Sequence, residues 1–287
     1  MTHASSLLLP EGFARPGVTA VLRERHLLRE GAHAVAGEVG AHARERATRL
    51  PLARRWAPTQ DGGDDPVLLV PGFLCGDYTL LPLHRSLRRA GWRTYRSGIA
   101  ANVGCTAEMA TLVERRLEDV AERTGSRVQL VGHSLGGMLA RGVAAARPDL
   151  VSGLTTLGSP VLAPGAHHLA LSVSIAALVG LNAAGVETVM GHDCVRGACA
   201  ESSFEDSRAA LAADVPHTCV YSRGDGIVAW QACIDPEAHA AVEVEGTHLG
   251  MGVSPLVAGV VREALARHRT LVEDAPLADV LPFEQTA

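Results

Sequence analysis

The chemistry-bearing residues of this 287-residue chain gather in a few glycine-rich loops. Gly132-His133-Ser134-Leu135-Gly136, with Gly137 after it, lies between an apolar run, Arg127–Val131, and a helical pattern, Leu135–Arg147. A serine on a tight strand-to-helix turn has its hydroxyl lifted above a sheet, and the helix N-terminus behind it favours developing negative charge. Ser134 is therefore a candidate nucleophile. A serine hydroxyl needs a base, and the base needs an orienting acid.

With thirteen histidines in the chain, residue type alone selects none, and position must do so. In a strand–turn–helix arrangement the chain order is Ser, acid, His. His248, in Gly246-Thr247-His248-Leu249-Gly250, follows the apolar stretch Ala241–Val244 and fits the base. His133 comes too early, His239 precedes that stretch, and His268 lies in a helical pattern. For the acid, His217–Tyr221 leads into a loop in which Asp225 stands between Gly224 and Gly226. Asp235 is the alternative, and Asp214 precedes the strand. A tetrahedral intermediate also needs two N–H donors. Leu135 N–H follows the nucleophile, and Phe73 N–H lies in Pro71-Gly72-Phe73-Leu74-Cys75-Gly76 after the first apolar run.

The elements that must carry these loops alternate in type. Val67–Val70, Arg93–Arg96, Arg127–Val131, Gly153–Leu157, His217–Tyr221 and Ala241–Val244 read as strands. Leu80–Ala90, Ala107–Arg123, Leu135–Arg147 and Pro255–Arg269 read as helices, with Thr106 as the candidate cap of the second. Such alternation implies a parallel sheet with right-handed crossovers. Regularity lapses between residues 160 and 214, an insertion over the carboxyl ends of the strands, where such sheets bind ligands. Residues 18–50 show helical periodicity, and 51–65 read as a linker. This arm either packs on the main domain or lies on a membrane surface.

Pro71-Gly72-Phe73, the elbow around Ser134, Gly158-Ser159-Pro160, the Asp225 loop and Gly246-Thr247-His248 together resemble an α/β-hydrolase of the bacterial lipase/esterase type, over residues 66–270. The resemblance implies a mostly parallel sheet flanked by helices, with a helical cap at about 160–214 in a hydrolase domain 61–287, preceded by an N-terminal helical arm and linker, 1–60. It implies a serine hydrolase that cleaves carboxylic esters of lipophilic acyl groups through Ser134, Asp225 and His248, with no cofactor. Pro71 departs from relatives that have His before the oxyanion-loop glycine. An acyltransferase or thioesterase would use the same three residues, and an idle fold serving as a binding module is the remaining alternative. In the cap, Leu171, Ile175 and Leu178, with Leu74 from the oxyanion loop, are expected to line the acyl site; the cap's apolar residues could equally fill its own core.

Composition narrows the partners. The chain carries 31 acidic and 26 basic residues, a net charge of −5, which disfavours a nucleic-acid partner. Every base is arginine, so lysine Schiff-base and P-loop chemistry are excluded. Residues 1–60 hold nine Arg against five Glu, a positive arm that allows peripheral membrane contact. No secretory signal is read at the N-terminus, which favours a cytoplasmic location, with membrane association as the alternative. Residues 150–186 lack charge, but the uninterrupted stretch Leu169 to Ala184 is shorter than the ~20 residues of a spanning helix, so it reads as a buried or interfacial helix. Cys194/Cys199 and Cys219/Cys233 are each placed so that a disulfide could form, and the sequence leaves their state open. His192, Cys194 and Cys199 lack a second ligand pair at finger spacing, so no metal site is read. Cys75 and Cys105 are expected as buried, small apolar residues.

Overall fold

The structure, a computed structural model, describes residues 8–32, 36, 40 and 65–273. Six strands form one parallel sheet: β1 (Pro66–Val70), β2 (Arg93–Arg96), β3 (Val128–His133), β4 (Val151–Leu157), β5 (His217–Tyr221) and β6 (Ala240–Glu243), in the order β2-β1-β3-β4-β5-β6. The helices of the sheet layers are α1 (Leu81–Arg89), α2 (Thr106–Thr124), α3 (Leu135–Ala146) and, after the cap helices, α7 (Pro255–Glu273).

The sheet is buried on both faces because successive side chains alternate in direction. Leu68, Leu130 and Leu154 pack with Val113, Leu117 and Ala140 of α2 and α3. Their sequence neighbours Leu69 and Val131 pack on the other face with Leu87, Val261 and Leu265 of α1 and α7. One polar residue inside this core is paired on both ring nitrogens. His268 meets Thr218 Oγ1 at 2.8 Å and Gln129 Oε1 at 3.1 Å, so it is a structural residue of α7.

The insertion between β4 and β5 is more ordered than its sequence implies. It holds α4 (Leu169–Ala183), α5 (Asp193–Arg196) and α6 (Ala198–Arg208). α4 occupies the uncharged stretch that reads as a helix in the sequence, and none of its residues is fully buried. α6 packs on α3, and Arg141 of α3 ties the two together. Its guanidinium donates to the carbonyls of Ser207 and Ala209 (2.7 and 2.8 Å) and to Asp235 (2.8 and 2.9 Å). Asp235, the alternative acid, is therefore committed to Arg141 and the cap, away from His248.

At the N-terminus, a 3-10 turn over Ala20–His26 continues as helix through 27–32. The N-terminal segment packs on the rest of the fold: Gly165 N–H donates to Leu8 O (2.6 Å) and His168 Nε2 meets Val18 O (3.0 Å). Most of residues 33–64 lie outside the described residues, so the linker and the rest of the expected helix are not among them. Two other expectations are corrected. Thr106 begins α2 but does not cap it; Cys105 is the N-cap residue. All six cysteines are free, and Cys75 and Cys105 are half-buried. The sulfurs of Cys194 and Cys199 are 3.9 Å apart, well beyond the ~2.05 Å of a bond. Cys233 Sγ turns to Ala229 O and Cys219 Sγ to His217, so that pair is not bridged either.

Candidate active site

Ser134 stands between β3 and α3 with φ 55° and ψ −126°. A non-glycine residue in this region stores about 1–3 kcal/mol of strain, held by its surroundings. The glycines around it are needed for close approach. A Cβ on Gly136 would lie 2.4 Å from the carbonyl oxygens of Val70 and Pro71, and one on Gly132 would lie 2.4 Å from Gly137 Cα. The elbow is thus wedged between β1 and α3, and Ser134 N–H is pinned to Leu157 O (2.8 Å).

The loops after β5 and β6 bring Asp225 and His248 together. Asp225 Oδ2 is 2.6 Å from His248 Nδ1, and both side chains are buried. The other carboxylate oxygen accepts the N–H groups of Ile227 and Val228 (2.8 and 2.7 Å). Burial alone would depress the His248 pKa. The charge and hydrogen bond of Asp225, with the charge of Glu24, reverse this and raise it above the ordinary imidazole value. His133 supports the same loop: its Nε2 meets His248 O at 2.9 Å, and burial pushes its pKa down to about 4. His133 is thus a neutral donor to that carbonyl, not a base. His248 lies against the elbow, its ring centroid 4.9 Å from that of His133. Ser134 and His248 share no direct hydrogen bond here. Such contacts are often long before substrate binds.

The N–H groups of Phe73 and Leu135 donate to no protein atom among the described residues, so both are available to an incoming oxyanion. The loop around Phe73 is fixed by Asn102. Asn102 Nδ2 donates to Pro71 O (2.9 Å), and Leu74 N–H donates to Asn102 O (3.0 Å). Leu74 takes φ 60° and is 44% exposed, pointing it out of the site.

Ser134, Leu135 and Phe73 border a cavity of about 170 Å³. Met138, Leu139, Phe204, Leu171 and Ile175 make its wall apolar, and no Asp, Glu or Arg lines it. Leu74 and Leu178, expected there, are not among its lining residues. Being below the ~300–1,000 Å³ of drug-sized sites, the cavity has room for a single slim chain.

Sequence reasoning missed the arm's part in this site. Gly226 and His248 N–H groups both donate to Glu24 Oε1 (3.0 Å each), and Leu249 N–H donates to Glu24 Oε2 (3.2 Å). Glu30 accepts the N–H (2.9 Å) and hydroxyl (2.6 Å) of Thr247. One helical arm therefore clamps the loops bearing both Asp225 and His248. No local pattern marks these two glutamates, because their partners are more than 200 residues away.

A family model described as the alpha/beta hydrolase fold matches residues 65–183. The mature lipase BlEst2 of Bacillus licheniformis superposes with a TM-score of 0.55 at 15% identity, covering 72% of this chain and 95% of that one. Its propeptide form gives 0.56 at 13% identity, over 73% and 52%, so this chain spans about half of that form's length. Lipase B of Aspergillus fumigatus gives 0.51 at 18%, over 73% and 55%. The protein has the α/β-hydrolase fold and resembles the lipases and esterases built on it. No described helix is long and apolar enough to cross a membrane.

Proposed function

We propose that this protein is a serine hydrolase acting on carboxylic esters of lipophilic acyl groups. The observation that carries this reading is a strained serine, Ser134, opening on a charge-free apolar cavity with the Asp225–His248 pair beside it. Ser134 attacks the ester carbonyl as His248 Nε2 takes its proton. Asp225 holds the Nδ1–H tautomer and stabilises the imidazolium that forms. Phe73 and Leu135 N–H groups bind the oxyanion. His248 then returns the proton to the leaving alcohol, and water, activated by the same base, releases the acid. The acyl chain lies between Leu171, Ile175 and Phe204 of the cap and Met138 of α3. Leu169, Val173 and Leu181 stand exposed on the cap, which suits delivery from an oil–water boundary.

The test is hydrolysis of p-nitrophenyl esters from acetate to palmitate, comparing wild type with Ser134→Ala, alongside labelling by a fluorophosphonate. Turnover and labelling should both vanish in the variant, with an optimum at short to medium chains. Labelling without hydrolysis on any chain length would move the reading to acyl transfer or thioester cleavage. No labelling of the wild type would refute a serine nucleophile.

A further inference from the structure

Three thiols converge where the cap meets the core. Cys105 precedes α2, Cys194 lies in α5, and Cys199 lies in the first turn of α6. Cys105 Sγ is 3.5 Å from Cys199 Sγ, Cys199 Sγ is 3.9 Å from Cys194 Sγ, and all three sulfurs lie within 4.8 Å of one another. These separations are too long for a disulfide. They match the spacing around one ion: thiolates about 2.3 Å from a metal stand about 3.8 Å apart in tetrahedral geometry and about 4.0 Å in trigonal.

We propose that Cys105, Cys194 and Cys199 form a three-thiolate site for a thiophilic ion of the Zn²⁺ class, which staples the cap to the start of α2. The chemistry of the surroundings fits such an ion. Cys105 and Cys199 are at the N-termini of α2 and α6, where the helix dipoles favour thiolates. Thr106 Oγ1 lies 3.6 Å from Cys199 Sγ and is held by Ser203 Oγ at 2.9 Å, an outer contact of the kind that orients metal ligands. Cys199 N–H donates to Asp193 Oδ2 (3.2 Å), which fixes the α5–α6 corner. Cys194, Thr106 and Ser203 also line the cavity, which gives the ion an entry path. Binding takes one M²⁺ and three thiols, forms three metal–sulfur bonds and releases three protons to solvent; water fills the fourth position of a tetrahedral ion. Soft sulfur ligands select against Ca²⁺ and Mg²⁺. The two sequence-adjacent cysteines are too few ligands alone, and folding supplies Cys105 as the third.

The experiment uses the full chain, reduced and freed of metal, titrated with Cd²⁺ and followed by its ultraviolet sulfur-to-metal charge-transfer band. Zn²⁺ then competes against the Cd²⁺. The band should saturate at one equivalent and be displaced by Zn²⁺. Cys105→Ser and Cys199→Ser should each weaken Cd²⁺ binding at least tenfold, while Cys75→Ser leaves it unchanged. Circular dichroism verifies that each variant is folded. Zn²⁺ should also raise the Tm of wild type but not of Cys105→Ser. A wild type that gives no saturable band, or a folded Cys105→Ser that binds Cd²⁺ as tightly as wild type, overturns the site. The outcome is independent of ester hydrolysis.

Discussion

Asp225→Asn isolates the division of labour between the two oxygens of that carboxylate. Oδ1 is occupied by the N–H groups of Ile227 and Val228, and Oδ2 faces His248 Nδ1 at 2.6 Å. Asparagine has only one oxygen to offer. Turning its NH2 toward the two backbone donors would leave them unsatisfied, at about 1–3 kcal/mol. The oxygen therefore stays with the loop and the NH2 faces Nδ1. That donor requires an unprotonated Nδ1, so the ring proton moves to Nε2, the atom that must accept from Ser134. The fold is kept and the wrong tautomer is locked in. The expected loss in kcat is about 10⁴-fold, the size found when a triad acid becomes its amide. At about 1.36 kcal/mol per decade this is about 5.5 kcal/mol of transition-state stabilisation. The assay is steady-state hydrolysis of p-nitrophenyl butyrate, with circular dichroism and Tm as controls for folding. A folded Asp225→Asn enzyme within tenfold of wild type would refute tautomer control by Asp225.

Three further outcomes follow from the same geometry. Because the His248 pKa is raised above about 6.5, kcat/KM should be full in alkaline buffer and fall as pH drops through that raised value. A profile flat from pH 5 to 8 removes His248 as the base. Glu24→Gln withdraws a negative charge from His248 and weakens three N–H bonds. Its acid limb should move to lower pH, and stability should fall by about 1–3 kcal/mol; an unmoved limb means the arm's charge does not reach the imidazole. Arg141→Ala strands the buried carboxylate of Asp235 and frees the end of α6. It should cost about 3–5 kcal/mol in urea unfolding, and a cost below about 1 kcal/mol would show that the pair does not hold the cap.

Much of the sheet was legible because its strands are short apolar runs bounded by glycine or proline, and chain order alone placed Asp225 and His248 on neighbouring loops. Ser134 was legible for a different reason: a tight elbow requires small residues at fixed offsets, so the constraint is written locally. The rest depends on contacts that no local pattern records. Asp235 also lies between β5 and His248 in chain order, and what commits it elsewhere is Arg141, reaching from α3. Leu178 and Leu171 belong to one featureless apolar run, and the helix turn decides which faces the cavity. Leu74 was assigned by proximity to Phe73, yet its positive φ turns it outward. Spacing in the chain offers only Cys194 as a neighbour of Cys199, although Cys105 approaches it more closely. Glu24 and Glu30 read as solvated charges on a helix, because the N–H groups they satisfy belong to the far end of the chain.

That clamp has a consequence for biosynthesis. Glu24 is separated from Gly226 and His248 by 202 and 224 residues. At about 5–20 residues per second, His248 is added roughly 10–45 s after Glu24. In that interval the growing chain can build β1, β3 and the serine elbow while the base and its acid do not yet exist. The arm's helix waits for the loops after β5 and β6, a closure of high contact order that later strands must complete. On the proposed mechanism, hydrolytic competence arrives only once the loop after β6 is made, and a ribosome stalled before β6 leaves a chain with the proposed nucleophile and nothing to activate it.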